Sequence, residues 1–128
     1  MPLLGLHHVA IICSDYQRSK RFYTEVLRLP IVAEHFRFDR QSHKLDLTLP
    51  DGVQIELFSF PNPPPRPTRP EAQGLRHLAL LVSDLDAEIA RLSSLGVTCE
   101  SIRTDANTGK RFTFFKDPDD LPIELYEG

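Results

Sequence analysis

The sequence contains one pattern twice, and this duplication limits the possible folds more than any other feature. Residues 5–15, GLHHVAIICSD, align with residues 74–84, GLRHLALLVSD, at an offset of 69. Residues 50–58, PDGVQIELF, align with residues 118–126, PDDLPIELY, at an offset of 68. The whole chain, at 128 residues, has the size of one ordinary domain. Each module is too small to bury an adequate core, so we expect the two to pack as one domain or to be completed by another chain.

Each module has the pattern of a strand, a helix and three further strands. Apolar runs rich in branched residues predict the first strands at 6–13 and 75–82. Helices are predicted over 16–28, and from a capping box of Ser83 and Asp86 to Gly96. The later strands are predicted at 31–38, 44–49, 53–60, 98–103, 111–116 and 121–126. The predicted class is therefore α+β, with two tandem βαβββ modules.

Prolines mark the boundary between the modules, since six of the eleven fall within residues 61–70. Proline lacks the backbone donor and fixes φ, so this segment is predicted to be neither helix nor inner strand. We predict a stiff linker at 61–73 between module one, 4–60, and module two, 74–128, within a single domain 1–128. A PxxP signalling ligand is the alternative, although the segment is poorly placed for it. Arg66 and Arg69 of the linker are open candidates for the rim of a site.

Charge and hydropathy exclude several classes of protein. Fifteen Lys and Arg against eighteen Asp and Glu give a formal charge of -3, which offers no basic excess to a nucleic acid or an anionic membrane. No apolar run approaches the roughly 20 residues that cross a bilayer, and the first ten residues do not resemble a signal peptide. The two cysteines, Cys13 and Cys99, lack metal or redox spacing and are predicted to be free thiols. We expect a cytoplasmic protein without nucleic-acid or membrane partners.

A histidine near the start and a glutamate near the end recur in both modules. Glu56 follows His8 by 48 residues, and Glu124 follows His77 by 47. Strand alternation places each glutamate opposite its aliphatic neighbours, and a twofold relation would bring all four side chains to one concavity. Two imidazoles and two carboxylates suit a divalent first-row metal, with positions left for water or substrate. Taken singly each residue could be an ordinary packing or surface residue, but packing does not require the pair to recur.

These features resemble the vicinal oxygen chelate superfamily, which includes glyoxalase I, extradiol dioxygenases, fosfomycin-resistance enzymes and bleomycin-resistance proteins. The resemblance covers the whole chain and rests on the openings LHHVAI and LRHLAL and the endings QIELFSF and DPDDLPIELYE. The segments RPEAQGLRHLAL and KRFTFFKDPDDLPIELYE are most similar to the YaeR-type branch of glyoxalase-like proteins. The resemblance implies that the modules form a half-open β-sheet barrel flanked by helices, and that the chain forms a homodimer.

The resemblance also implies a site and a reaction. The glyoxalase I ligands correspond to His8, Glu56, His77 and Glu124, with Ni, Zn, Co or Mn as the metal. The implied activity is that of a lactoylglutathione lyase-like enzyme, which converts a 2-oxoaldehyde thiol adduct or a related α-hydroxycarbonyl through a metal-stabilised enediolate. Glu124 is the first choice for the base and Glu56 is the symmetric alternative. An Fe(II) extradiol-type dioxygenase and a metal-free binding protein remain as alternatives.

Three positions differ from the usual pattern of the family. Glyoxalase I enzymes hold glutathione with an Arg four residues after the first ligand and an Asn four after the second, where this chain has Ile12 and Phe60. Apolar side chains cannot hold a glutamyl carboxylate, so the metal and the reaction are better supported than glutathione. In the turn before the last strand, Asp120 takes a place usually filled by Gly.

Further side chains are candidates for the surroundings of the site. Arg111, Thr113 and Phe115, together with Phe58 and Tyr126, are candidates for a pocket wall, and ordinary sheet packing is at least as good an explanation for the aromatic side chains. Arg37, Lys110 and Arg111 are candidate anion contacts. Three other histidines, His7, His35 and His43, have no counterpart in the repeat and are left out of the ligand set.

Overall fold

The computed structural model describes residues 2–128, which form two compact units divided between Pro65 and Arg66. Unit one contains β1 (His8–Cys13), α1 (Tyr16–Arg21), a π-helical turn (Phe22–Val26), β2 (Ile31–Arg37), β3 (Ser42–Thr48) and β4 (Gln54–Ser59). Unit two contains β5 (Leu78–Val82), α2 (Leu85–Ser94), β6 (Arg103–Thr104), β7 (Arg111–Lys116) and β8 (Pro122–Glu127). Both units have the predicted βαβββ order, and within residues 2–128 no helix is long and apolar enough to cross a membrane.

The two units have the same sheet topology. Their strand orders are β1-β4-β3-β2 and β5-β8-β7-β6, and both sheets are open. In each sheet the first strand of the unit pairs in parallel with the last, and the other pairs are antiparallel. The glutamates have equivalent partners across the parallel pairs, since Ala10 lies opposite Glu56 and Ala79 lies opposite Glu124. This architecture confirms the predicted α+β class and the half-open sheets of the superfamily fold.

Each sheet buries one face, as the strand alternation predicts. In unit one the buried side chains include aliphatic residues of β3 and β4 and a tyrosine of the π-helical turn: Leu45, Leu47, Ile55, Leu57 and Tyr23. In unit two they come from α2, β7 and β8: Leu85, Leu92, Thr113, Phe115, Ile123 and Leu125. Because side chains alternate along a strand, Glu56 and Glu124 lie on the opposite, open faces of their sheets.

Aspartates begin both helices. The Asp15 carboxylate accepts from the Arg18 amide at 3.1 Å, and the Asp84 carboxylate accepts from the Ala87 amide at 3.0 Å. The predicted capping box of Ser83 and Asp86 is wrong, because the residue with extended backbone directly before α2 is Asp84. The predicted end of α2 is confirmed, since Gly96 has a φ of +81° and the adjacent amides bond back into the last turn, as in a Schellman motif.

Removal of the α2 cap gives a prediction about stability. We expect Asp84→Ala to lower the free energy of unfolding by about 1 kcal/mol, because the first four amides of a helix have no acceptor within the helix and the Ala87 amide would lose the carboxylate it now bonds. Urea unfolding followed by circular dichroism measures the change. Ser83→Ala is the matched control and should change stability by less than about 0.5 kcal/mol. If Ser83→Ala destabilised the protein more than Asp84→Ala, Ser83 would be the cap of α2.

Four predicted elements have different boundaries in the structure. The helix predicted over 16–28 becomes π-helical after Arg21, where the Thr24 hydroxyl donates to the Lys20 carbonyl at 2.6 Å and perturbs the ladder. The strand predicted at 98–103 is reduced to β6 at Arg103–Thr104. The first strands of the two units begin later than predicted, at His8 and Leu78.

The backbone of residues 61–73 and of the turn at Asp120 agrees with what the sequence predicts. Within residues 61–73 the structure assigns neither helix nor strand. Asp120 has a φ of 67°, which is the left-handed conformation usually taken by Gly at this turn and tolerated by Asp. Both cysteines are thiols, as predicted: Cys13 is buried and its Sγ donates to the Phe58 carbonyl at 3.3 Å, and Cys99 is partly buried.

Candidate metal centre

Unit one brings its predicted histidine and glutamate together. His8 opens β1 and Glu56 lies in the adjacent β4, and the Nδ1 of His8 is 3.6 Å from the Oε2 of Glu56. The Glu56 side chain is only 13% exposed. On its other side, the Nζ of Lys44 lies 3.8 Å from the Oε1 of Glu56 and 2.6 Å from an Asp46 carboxylate oxygen. Glu56 therefore lies between an imidazole and an ammonium group.

Unit two makes the equivalent pair at shorter range. His77 directly precedes β5, and its Nε2 is 2.9 Å from the Oε1 of Glu124 in β8. The Nη1 of Arg76 lies 3.2 Å from the Nδ1 of the same ring. Because a guanidinium has only donors, Nδ1 accepts from Arg76 and Nε2 carries the hydrogen that is donated to Glu124. The Glu124 side chain is 12% exposed, close to the value for Glu56.

The cross-strand neighbours of the two glutamates differ in chemistry. Asp46 lies opposite Glu56 in unit one, whereas Phe114 lies opposite Glu124 in unit two. The Phe114 ring also makes an edge contact with the His77 ring, at 5.0 Å between centroids. The glutamate of unit one is thus set among charges, and that of unit two beside an aromatic surface.

The donor chemistry fits a divalent first-row metal. Each unit offers one imidazole nitrogen and one carboxylate, and these donor types suit Ni, Zn, Co or Mn. Within the described residues of either unit, no three His, Cys, Asp or Glu side chains gather in an arrangement that could hold a metal. The structure therefore assembles the predicted ligands as two pairs, and their union in one site stays a prediction. To bind a metal through Nε2, the neutral His77 ring would have to carry its hydrogen on Nδ1 instead. Nδ1 could then no longer accept from Arg76, and the guanidinium would have to turn away.

The predicted pocket wall is partly wrong. Thr113 and Phe115 are buried in the core of unit two, where they lie opposite Leu125 and Ile123. Arg111 forms ion pairs with Asp86 and Glu127, at 2.8 and 2.9 Å, so its charge is already matched. The alternation of β7 is shifted by one residue from the prediction, because all three predicted side chains lie on its other face.

The open face of β7 instead presents Phe112 and Phe114, two residues that the sequence analysis missed. They lie opposite Tyr126 and Glu124, and the Phe112 and Tyr126 rings stack with 6.3 Å between centroids. The signal that could have found them is the pairing of β7 with β8, whose aliphatic positions define the core face. The two other predicted wall residues, Phe58 and Tyr126, do lie on the open faces of their sheets, as Glu56 and Glu124 do.

The phenol of Tyr126 has defined partners. It donates to the Oδ2 of Asp105 at 2.9 Å and also bonds the Thr108 hydroxyl. The bond with Thr108 favours the phenolate, but partial desolvation and the Asp105 carboxylate outweigh it, and the pKa of Tyr126 is raised. Tyr126 therefore keeps its proton at neutral pH and is a donor two residues from Glu124.

Sequence comparison identifies relatives over the full chain. YwkD from Bacillus subtilis (strain 168) is 58% identical over 127 residues, which are 99% of this chain and 99% of YwkD. YaeR from Escherichia coli (strain K12) is 57% identical over 128 residues, with 98% of this chain and 99% of YaeR covered. The second match confirms the predicted resemblance to the YaeR-type branch.

Solved structures have the same fold. A glyoxalase family protein from Enterococcus faecalis is 45% identical, with a TM-score of 0.92 over 99% of this chain and 100% of that chain. A variant of the fosfomycin resistance protein FosX from Listeria monocytogenes, complexed with Mn(II), is 19% identical, with a TM-score of 0.74 over 98% of this chain and 91% of that chain. The second likeness concerns the fold alone.

A family comparison covers nearly the whole chain. Residues 5–125 match the Glyoxalase/Bleomycin resistance protein/Dioxygenase superfamily. This superfamily includes glyoxalase I, dioxygenases and fosfomycin resistance proteins, and members such as FosX bind a divalent metal. The matched range contains both histidine–glutamate pairs. The chain therefore belongs to the Glyoxalase/Bleomycin resistance protein/Dioxygenase superfamily.

Proposed function

We propose that the chain is a metal-dependent, glyoxalase I-like lyase or isomerase that acts on a 2-oxoaldehyde thiol adduct or a related α-hydroxycarbonyl. In this proposal the two units pack as one domain, 1–128, and His8, Glu56, His77 and Glu124 hold one divalent ion. The observation that carries it is a histidine paired with a glutamate at matching positions of both units, on the open face of each sheet. Packing of the sheets does not require a histidine beside a glutamate in either unit. It also does not require the two pairs to occupy equivalent positions.

The chain's own residues would carry the proton. When bound, a divalent ion would supply Lewis acidity that weakens the C–H bond next to a carbonyl group. Glu124 would take that proton and return it to the neighbouring carbon, while the hydroxyl proton of the first carbon passes to the carbonyl oxygen of the second, and these two transfers together are the net change in an isomerisation of this kind. A positioned carboxylate of this type accelerates proton transfer by about 10²- to 10⁴-fold.

The surroundings of the two glutamates favour Glu124 as the base. The Lys44 ammonium lies 3.8 Å from a Glu56 oxygen, and this attraction holds Glu56 in place. Among residues 2–128 the ion-pair partner of Glu124 is His77, and Phe114 lies across the strand. Arg76 attracts Glu124 at longer range, but among the described residues Glu124 has one ion-pair partner where Glu56 has two, so Glu124 is freer to move between a metal and a substrate. Glu56 keeps the second role, that of a fixed ligand.

The positions where glyoxalase I holds glutathione are apolar here. Ile12 is 56% exposed on the open face of β1, and the Phe60 ring stacks on that of Phe58 at 6.1 Å. Neither side chain can donate a hydrogen bond to a carboxylate. We therefore expect methylglyoxal to be turned over with a thiol other than glutathione, and assays with a panel of thiols measure this. Full activity with glutathione would contradict this part of the proposal.

The metal site has a direct test in elemental analysis of protein purified without chelator. We expect wild-type protein to hold or take up Ni, Zn, Co or Mn. His77→Ala should weaken metal affinity at least about tenfold, because it removes a nitrogen ligand. His35→Ala is the matched control, since His35 is an exposed residue of β2 without a repeat counterpart. A wild type that neither contains nor takes up any of these metals would overturn the site.

The two alternative functions give different results. An Fe(II) extradiol-type dioxygenase would consume oxygen with a catechol, whereas a metal-free binding protein would hold its ligand equally well in Glu124→Gln. The Mn(II) in FosX supports a divalent ion on this fold without indicating the reaction. The homodimer and the cytoplasmic location stay predictions.

A further inference from the structure

Unit two contains a cavity of about 450 Å³ next to the His77–Glu124 pair. Its lining includes residues of the segment 66–76, among them Arg66, Arg69 and Arg76. It also includes Arg103 and residues of the sheet such as Phe114. Phe114 lies opposite Glu124 and touches the His77 ring, so the cavity adjoins the proposed base and one proposed ligand.

The lining of this cavity is cationic in a chain that is acidic overall. Four arginines and two glutamates line it, which leaves two positive charges in excess, whereas the whole chain has a formal charge of -3. Two of these arginines are matched by neighbours, since Arg76 bonds Glu71 at 2.8 Å and Arg103 bonds Glu100 at 3.2 Å. The excess therefore comes from the linker arginines Arg66 and Arg69, of which Arg69 lies 3.9 Å from an Asp120 oxygen.

Arg66 is held in place without a counter-charge. Its Nη2 donates to the carbonyls of Leu75 and Arg76, at 2.8 and 3.0 Å, which fixes the guanidinium against the wall. Its Nε is buried and has no hydrogen-bond partner among residues 2–128. No carboxylate within that part of the chain forms an ion pair with it. A fixed guanidinium with an unmatched charge suits an oxyanion.

Arg103 provides a second oriented guanidinium in the lining of the cavity. Its Cζ lies 5.3 Å from the ring centroids of both Phe112 and Phe114, so the two aromatic side chains orient the group. The side chain is 54% exposed, and its contact with Glu100 is a single bond that leaves other donors available. Arg66 and Arg103 therefore both bring a guanidinium to the same cavity.

We infer that this cavity binds the carboxylate or phosphate group of an anionic substrate, with Arg66 and Arg103 as residues that determine specificity. The inference rests on the proposed function in that the adjoining His77 and Glu124 would act on the carbonyl end of the same molecule. The substrate would then be a small oxyanion with a carbonyl group. Its contacts with Arg66 and Arg103 would take the place of the contacts to glutathione that Ile12 and Phe60 cannot make.

Titration of the ¹⁵N-labelled full chain with inorganic phosphate, and separately with malonate, tests this inference at constant ionic strength. We expect saturable shifts in the amides of residues 66–76 and of β7. Arg66→Gln should raise the Kd at least about tenfold, the effect of losing one charge-assisted hydrogen bond. Arg103→Gln, which disturbs no backbone contact, should weaken binding in the same direction. The probe with the lower Kd identifies the type of oxyanion, and tight binding of either supports the inference.

The controls separate this site from general charge effects and from the metal. Arg21→Gln removes one positive charge from an exposed position of α1 outside the cavity lining, and should change the Kd by less than about twofold. Equal weakening by Arg21→Gln, or shifts that never saturate, would overturn the inference. In Glu124→Gln the phosphate Kd should be no weaker than in the wild type. If phosphate binding is lost in Glu124→Gln and unchanged in both arginine variants, the anion binds at the metal. That result would reject this inference and leave the proposed function standing.

Discussion

Replacing Glu124 by Gln is expected to lower the turnover of the proposed reaction by about 10²- to 10⁴-fold, because an amide cannot take up and return a proton. The substitution keeps the size of the side chain, and its carbonyl oxygen can still accept from the Nε2 of His77, now 2.9 Å from Glu124. The measurement is kcat with whichever thiol adduct supports wild-type turnover. Metal content by elemental analysis is recorded on the same samples, so that a loss of proton transfer is distinguished from a loss of metal.

Two further variants decide what a loss of turnover means. Glu56→Gln should lower turnover less than Glu124→Gln, because Glu56 is held beside Lys44 and is assigned no proton. Glu25→Gln, an exposed glutamate in the π-helical turn, should leave turnover unchanged. If Glu56→Gln causes the larger loss at equal metal content, the roles of the two glutamates are exchanged. If none of the three variants matters, the proton is carried by another group.

The asymmetry between the glutamates could not be predicted from the repeat. Comparing the modules emphasises what they share, and the shared Ile-Glu-Leu segments correctly predict which faces Glu56 and Glu124 occupy. What differs is the neighbouring strand, where Asp46 lies opposite one glutamate and Phe114 opposite the other. Knowing this requires the register between strands, which depends on tertiary pairing rather than on local pattern.

The error in β7 has a similar physical cause. The segment RFTFFK has aromatic side chains on both faces, so hydrophobic alternation does not indicate which face is buried. Only the pairing with β8, which places Thr113 and Phe115 beside Leu125 and Ile123, decides it. β4 and β8 were predictable because one face of each is aliphatic and the other contains the glutamate.

The proline-rich linker shows which structural features composition can predict and which it cannot. Six prolines within residues 61–70 predict correctly that the segment is neither helix nor strand. They do not predict that Arg66 bonds the backbone at Leu75 and Arg76 and so forms a cavity wall. Such contacts depend on how the chain turns back on itself, and no local spacing encodes them.

Replacing Leu57 by Ala is expected to lower the free energy of unfolding by about 2–5 kcal/mol, because it removes buried methyl groups and leaves a cavity. Leu57 is 0% exposed and lies in the core of unit one. Urea unfolding followed by circular dichroism measures the change. Leu4→Ala is the matched control, since Leu4 is 97% exposed, and the same substitution there should cost less than about 0.5 kcal/mol. Equal effects at the two positions would contradict the assignment of the core.

The same measurement tests whether the two units behave as one domain, as the proposed metal site requires. Ile123 is the buried counterpart of Ile55 in the repeat, and Ile123→Ala should destabilise unit two in the way that Leu57→Ala destabilises unit one. If the units share a core, both variants shift one cooperative transition that far- and near-ultraviolet circular dichroism report alike. If each unit unfolds independently, each variant lowers only one of two transitions. That second result would leave His8 and Glu56 without a fixed relation to His77 and Glu124, and a four-ligand site within one folded domain would have to be abandoned.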